Sequence, residues 1–182
     1  MNAKARRYAM TMDTRKCVGC QACVLACKNE NNVPEGFCRD WIVQEVHGTF
    51  PDLTAQIRSE RCHHCTNAPC VSVCPTGASY QGDGGIVQVT HDKCTGCKAC
   101  IAACPYDARY VHPDGYVDKC TFCAHRVARG DNPACVSVCP TDSLAFGDLM
   151  DDDSPVSALL ASRRFEVLLA DAGTQPNLFF LV

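Results

Sequence analysis

Hydrophobic and polar positions along this chain change period often and never hold one period for long. Tyr8, Met10 and Met12 alternate with their neighbours, the two-residue period of a short first strand. Trp41-Ile42-Val43-Gln44-Glu45-Val46 predicts another strand within the connecting segment 28–61. Gly82-Asp83-Gly84-Gly85 is a turn leading into a strand at Ile86-Val87-Gln88-Val89. Residues 109–118 repeat that design around Pro113-Asp114-Gly115. Helical signals are sparser. Asp151-Asp152-Asp153-Ser154-Pro155 reads as an acidic turn in which Ser154 caps a helix from Val156 to about Arg163. Arg163 and Arg164 suit the C-terminal end of that helix. The apolar end, Leu178-Phe179-Phe180-Leu181-Val182, is expected to pack on the chain's own surface, the alternative being a second subunit.

Such short elements supply little core for 182 residues, a length that makes one compact domain or two small lobes. No apolar run approaches the roughly 18–20 residues that cross a bilayer. Arg6-Arg7 has the look of a twin-arginine export signal. The residues after it, Tyr8 to Arg15, include charges and no apolar stretch of roughly 7–15 residues. The expectation is a chain with no membrane or export address of its own. A formal charge of −3 is mild and gives no reason to expect nucleic acid.

The seventeen cysteines change this picture. Sixteen fall into four groups: Cys17, Cys20, Cys23, Cys27; Cys62, Cys65, Cys70, Cys74; Cys94, Cys97, Cys100, Cys104; and Cys120, Cys123, Cys135, Cys139. Groups one and three share the spacing C-x2-C-x2-C-x3-C, with Cys17-Val18-Gly19-Cys20-Gln21-Ala22-Cys23 set against Cys94-Thr95-Gly96-Cys97-Lys98-Ala99-Cys100. Groups two and four share Cys-Val-Ser-Val-Cys-Pro-Thr, at 70–76 and 135–141. The chain therefore reads A-B-A-B, an internal duplication of a two-group unit.

Three cysteines within seven residues let one tight loop wrap three irons of a single iron–sulfur cubane, with Gly19 and Gly96 easing the turn. The fourth cysteine lies four residues beyond the third, about 6 Å further along a helical turn. There it reaches the neighbouring cluster, as in two-cluster ferredoxins. Pro75, Pro105 and Pro140 then end the turn in three groups, while Lys28 follows Cys27 and lets that helix run on towards Asn32. A disulfide scaffold fits poorly, because the count is odd and the thiols are too crowded for independent bridges. Structural zinc suits groups two and four alone, since groups one and three carry a third cysteine with no role in a four-cysteine site. Iron–sulfur is the reading that uses all sixteen. Each oxidised cubane with its thiolates carries roughly −2, which takes the total from −3 to about −11. Lysines and arginines near the motifs are expected to help hold that charge.

Cys38 is left over and reads as a small buried or half-exposed thiol. His63 and His64 sit between two ligands, with at least one expected to be exposed and a hydrogen bond to cluster sulfur as the alternative. His125 and Arg126 carry the same ambiguity, and Trp41 reads as core or interface. The fold class expected is α+β: duplicated two-[4Fe–4S] ferredoxin-like units of short strands, one-turn helices and long loops. Residues 1–155 would form the four-cluster domain, and 156–182 a helix and apolar tail that packs or docks. With no Ser/His/Asp arrangement and no phosphate-binding glycine motif, the chain reads as an electron carrier and not as an enzyme in its own right.

The residues flanking the motifs carry a resemblance. Arg7-Tyr8-Ala9-Met10, Cys-Pro-Tyr-Asp-Ala-Arg-Tyr at 104–110, Lys119-Cys120-Thr121-Phe122-Cys123-Ala124-His125-Arg126, Phe146-Gly147-Asp148-Leu149 and Gly173-Thr174 are similar to one family. The chain resembles, over essentially its whole length, the four-cluster ferredoxin subunit of membrane-associated molybdopterin oxidoreductases, of the polysulfide or thiosulfate reductase beta type. The resemblance implies a wire between two partners. One is a catalytic subunit holding molybdopterin guanine dinucleotide with molybdenum or tungsten. The other is an integral-membrane subunit that exchanges electrons with quinol.

It also implies cross-ligation. Cys17, Cys20, Cys23 and Cys139 would bind one cluster, and Cys120, Cys123, Cys135 and Cys27 its neighbour. Cys62, Cys65, Cys70 and Cys104 would bind a third, and Cys94, Cys97, Cys100 and Cys74 the fourth. Spacing alone leaves the pairing of group one with two and three with four open. Nitrate-reductase-like relatives replace one cysteine and hold a [3Fe–4S] cluster, whereas every group here is complete. The gap 105–119 lacks the long insertion of some oxyanion reductase relatives. Membrane association would come through the partners, on the periplasmic side if the chain is co-exported and otherwise on the cytoplasmic side. A complex without molybdenum, such as a multihaem-cytochrome reductase or a hydrogenase, is the alternative setting, and a zinc-stabilised interaction module the alternative class.

Overall fold

The computed structural model describes residues 6–182, so the first five residues of the 1–155 span lie outside the described residues. The chain opens with β1 (Tyr8–Asp13), α1 (Ala22–Glu30) and a hairpin of β2 (Asp40–Thr49) and β3 (Asp52–Arg61). The middle holds α2 (Pro69–Ser72), β4 (Ser79–Gln81), β5 (Val87–Val89), α3 (Ala99–Ala102), β6 (Tyr110–Val111) and β7 (Val117–Asp118). It closes with α4 (Ala124–Val127), α5 (Ala134–Ser137), β8 (Leu144–Asp148), α6 (Pro155–Ser162), β9 (Phe165–Glu166) and β10 (Leu178–Leu181). This is the α+β arrangement of short strands and one-turn helices expected from the sequence.

A four-stranded sheet in the order β8-β1-β10-β9 ties the two ends of the chain together. β1 runs antiparallel to β8, with Met10 opposite Phe146, and parallel to β10, with Met10 opposite Leu178. Its position at the centre of the sheet buries every residue from Ala9 to Asp13. The alternation at Tyr8, Met10 and Met12 suggests a strand with one wet face, but neighbours on both sides and cover on both faces leave none. The apolar end of the chain forms β10, with Leu178 and Leu181 nearly inaccessible. Arg7 is folded in as well: its Nε donates to Asn177 Oδ1 at 2.8 Å.

The β2–β3 hairpin pairs ten residues from each strand, from Asp40 opposite Arg61 to Thr49 opposite Asp52. It is longer than the strand expected at 41–46, and β3 was not foreseen. Most of the ribbon is solvated on both faces, so it lacks the apolar stripe that makes a strand legible. Only its base is deeply buried, at Asp40, Ser59 and Arg61.

The remaining elements follow the expected punctuation. Where proline follows the fourth cysteine the helix before it is a single turn, and where Lys28 follows Cys27 the helix runs on to Glu30. β4 pairs with β5 and β6 with β7, each across a glycine-containing turn. Ser154 caps α6, accepting from Ser157 N at 3.3 Å. Arg163 turns away from that helix end to Asp13, with Nη2 3.2 Å from Oδ2. Buried cysteines make up much of the core, packed with Met10, Phe122, Phe146 and Leu178. Among the described residues no helix is long and apolar enough to cross a membrane.

Candidate metal centres

Each cysteine loop is set by backbone geometry that only certain residues adopt cheaply. Gly19 and Gly96 take φ of +67° and +65°, and a Cβ at Gly96 would sit 2.3 Å from the Gly115 carbonyl oxygen. The one-turn helices then place the later cysteines. α1 carries Cys23 and Cys27, α2 carries Cys70, α3 carries Cys100 and α5 carries Cys135.

The fold brings together residues distant in sequence. Cys17, Cys20, Cys23 and Cys139 line one cavity, under Ile42, Leu144 and Pro140. Burial pushes the Cys27 thiol well up, and the charges of Cys120, Asp40, Cys135 and Cys123 push it further. Burial likewise raises Cys65 to about 12, with Cys62, Cys70 and Cys104 adding to the shift. Cys74, Cys94 and Cys100 belong to a more open region where α2 packs on α3. Cys120, raised to about 12 by burial, feels Cys62 as the nearest other thiol charge, so groups four and two also meet.

Exposure grades along this array. Cys20 and Cys97 are exposed, Cys17, Cys74, Cys94, Cys104 and Cys139 are half-buried, and the other nine grouped cysteines are buried. Two half-buried cysteines are poised for ionisation. Burial raises Cys139, but the Ser143 hydroxyl and the Thr141 and Ser143 amides outweigh it and bring the thiol down to about 7. At Cys74 the burial effect is again outweighed, here by the Ser79 amide at 3.3 Å and by Thr76.

The residues present fit an anionic iron–sulfur group. Among the described residues no three His, Cys, Asp or Glu side chains close to the spacing of a single metal ion. Thiolates held further apart suit a cubane, where each faces a different iron. Fully buried cations also point at the thiols. Arg61 Nη1 donates to Cys135 Sγ at 2.9 Å, and Arg109 Nη2 donates to Cys70 Sγ at 2.9 Å. Arg61 Nε and Arg109 Nε and Nη1 have no protein partner. Unpaired buried guanidinium donors are costly, and an anionic cluster beside them supplies the missing counter-charge. Deprotonating the raised thiols is part of loading such a group, which releases protons.

These cations were only foreseen in general terms. The signal was present: a basic residue precedes the first cysteine of every group, as Lys16, Arg61, Lys93 and Lys119. Burial separates them, because Arg61 and Lys119 are buried while Lys16 and Lys93 are exposed. The histidine expectation needs correction. Both His63 and His64 are buried, because each stacks flat on an aromatic ring, His63 on Tyr106 and His64 on Phe122, with ring centroids 3.7 Å apart. Burial and nearby Arg61 hold His63 down at about 3, so it is neutral. His64 Nδ1 accepts from Val87 N at 3.1 Å. His125 and Arg126 leave the ligand loop to bind Glu30, at 2.7 and 2.9 Å. Cys38 is exposed beside Phe37 and Trp41.

Comparison with known proteins gives a consistent result. The 4Fe-4S dicluster domain matches this sequence twice, over residues 16–78 and 53–149. A polysulfide reductase subunit of Wolinella succinogenes is 48% identical over 97% of this chain and 95% of its own length. The thiosulfate reductase electron transfer subunit PhsB of Salmonella typhi is 51% identical over 86% of this chain and 82% of its own length. Protein NrfC of Escherichia coli K12 is 45% identical over 98% of this chain and 82% of its own length.

Proposed function

This protein belongs to the 4Fe-4S dicluster family of reductase iron–sulfur subunits, and from that premise we infer what its grouped cysteines do. It is an electron-transfer subunit of a reductase-type complex and not the catalytic one. The finer reading is that sixteen cysteines hold four [4Fe–4S] clusters, with the fourth cysteine of each group serving a partner group's cluster. Cys17, Cys20, Cys23 and Cys139 form one set, and Cys120, Cys123, Cys135 and Cys27 the next. Cys62, Cys65, Cys70 and Cys104 form the third, and Cys94, Cys97, Cys100 and Cys74 the fourth. The observation that carries it is the single cavity lined by the first three cysteines of group one and the last of group four.

When bound, such clusters supply one-electron redox chemistry at potentials that their protein surroundings adjust. The chain's residues do the rest. Buried cysteines shield the middle of the array from solvent, while exposed Cys20 and Cys97 bring its two ends to the surface. Those two ends are where electrons would be taken up and given away. Polysulfide and thiosulfate reductase relatives support partners of two kinds: a molybdopterin catalytic subunit and an integral-membrane, quinone-reactive subunit. The domain reading of 1–155 as the cluster unit, with 156–182 closing it, belongs to the same proposal.

Anaerobic co-purification through a tag on this protein, in mild detergent, tests it, with iron and molybdenum or tungsten counted per copy. About sixteen irons on this subunit, with stoichiometric molybdenum or tungsten from a large partner, is the expected result. The same iron with neither metal in an intact complex would move the protein to a molybdenum-free reductase. Far fewer irons would overturn the four-cluster reading.

A further inference from the structure

Three basic side chains lie almost wholly inside the protein: Arg61, Lys119 and Arg109, none more than 5% exposed. Each stands where different cysteine sets meet. Arg61 donates from Nη1 to Cys135 Sγ at 2.9 Å and from Nη2 to the Ser59 hydroxyl, which itself lies 3.5 Å from Cys23 Sγ. It therefore bridges the set of Cys17, Cys20, Cys23 and Cys139 to the set containing Cys135. Arg109 repeats the design, donating from Nη2 to Cys70 Sγ and to the Ser79 hydroxyl, both at 2.9 Å, and facing Cys62 and Cys100. Lys119 Nζ donates to the carbonyls of Val87 and Cys120, and its charge faces Cys62, Cys120 and Cys70. Four clusters in a line have three gaps, and each gap holds one of these cations.

Their counter-charges differ. Asp40 Oδ1 accepts from Arg61 Nη2 at 3.1 Å and from the Ser59 hydroxyl at 2.6 Å. Among the described residues no carboxylate lies within 4.0 Å of Arg109 or Lys119. A buried cation costs several kcal/mol unless something offsets it. At Arg61 a carboxylate does so, and at the other two positions only the thiolates and their clusters can.

We propose that Arg61, Lys119 and Arg109 set the potentials along the electron path, one at each junction, and that Asp40 makes the Arg61 junction the least positive of the three. This rests on the four-cluster reading above. A one-electron transfer removes one negative charge from the donor cluster and adds one to the acceptor. A fixed cation between them favours the more negative, reduced form on either side and needs no proton to follow. A guanidinium keeps that charge at any working pH. The path is thus held at higher potential around Arg109 and Lys119 than around the neutralised Arg61–Asp40 pair.

Redox titration of the intact complex, followed by electron paramagnetic resonance with iron counted on each sample, tests this. Arg109→Gln is expected to lower at least one cluster midpoint by 59 mV or more, the one-electron equivalent of a tenfold change. Arg109→Lys, which keeps the charge, is expected to restore most of it. Asp40→Asn is expected to move a different midpoint the opposite way, upwards. Unmoved midpoints in Arg109→Gln and Asp40→Asn with full iron would overturn the proposal. Should Arg109→Gln shed iron, Asp40→Asn alone decides, and a fall or no change there overturns it. Wild-type iron far below sixteen per copy counts instead against the four-cluster reading, and midpoint shifts at the clusters present still read the effect of charge.

Discussion

Arg39 holds Asp118 with both arms of its guanidinium: Nε donates to Oδ2 and Nη2 to Oδ1, each at 2.8 Å. Nη1 reaches back to Asn31 Oδ1 at 2.9 Å, and the Tyr110 hydroxyl also donates to Asp118. This small network fastens the loop after α1 to β7, one residue ahead of Lys119 and two ahead of Cys120. Both charges are nearly buried, so their pairing is not screened as a surface bridge would be.

Removing one partner of such a pair strands the other. Arg39→Ala should lower stability by about 3 kcal/mol, and Arg39→Lys, which keeps the charge but not the fork, should recover part of that. The denaturant midpoint for bleaching of the visible absorption, followed anaerobically, measures it. A change too small to resolve would mean that the network does not hold the two segments together.

Gly96 and Gly19 occupy equivalent places in the repeat but should not tolerate alanine equally. Both sit at positive φ, which costs an L-residue roughly 1–2 kcal/mol. Gly96→Ala also drives a Cβ into the Gly115 carbonyl at 2.3 Å, whereas Gly19→Ala meets only the Ile57 side chain at 3.3 Å. Iron analysis should find about four irons missing, one cubane, from Gly96→Ala and little missing from Gly19→Ala. Equal iron in both variants would refute the distinction.

Cys100 and Cys38 make the complementary pair for ligand assignment. Cys100→Ala should lose one cluster or convert it to another type, and interrupt quinol-linked turnover. Cys38→Ala, at an exposed position outside the four groups, should retain the full iron content. Unchanged iron and turnover in Cys100→Ala would sink the assignment.

Glu30 joins α1 to α4 through His125 and Arg126, and hydrogen bonding from His125 leads the effects that hold its carboxyl below the usual 4.5. A carboxylate whose folded pKa is depressed stabilises the protein above its unfolded pKa and loses that contribution as pH falls through the folded value. Wild type should therefore resist denaturant bleaching better than Glu30→Gln at pH 7. The difference should shrink only below about pH 4.5, and should diminish in high salt. A difference that first fades between pH 7 and 5 would point to another group.

Leu178 is wholly buried in β10 opposite Met10. Leu178→Ala should cost about 3 kcal/mol through the cavity it leaves, measured by the same bleaching midpoint. A cost under about 1 kcal/mol would mean that the end of the chain contributes little to the sheet.

Much of this was legible in the order of residues alone. The cysteine spacing, the A-B-A-B duplication and the prolines that stop three helices are local chemistry, decided within a few positions of each residue. So were the cap at Ser154, which needs only its own turn, and the strand at Tyr8–Asp13. Three-dimensional packing decided the rest. The β2–β3 ribbon carries no apolar stripe because most of it is solvated, so its second strand left no periodic trace. His63 and His64 are buried by Tyr106 and Phe122, partners some forty to sixty residues away in the sequence. The basic residue before each cysteine group reads alike in all four places, yet only Arg61 and Lys119 are enclosed. Burial depends on which elements close over a site, and that is a property of long-range contacts that local spacing does not encode.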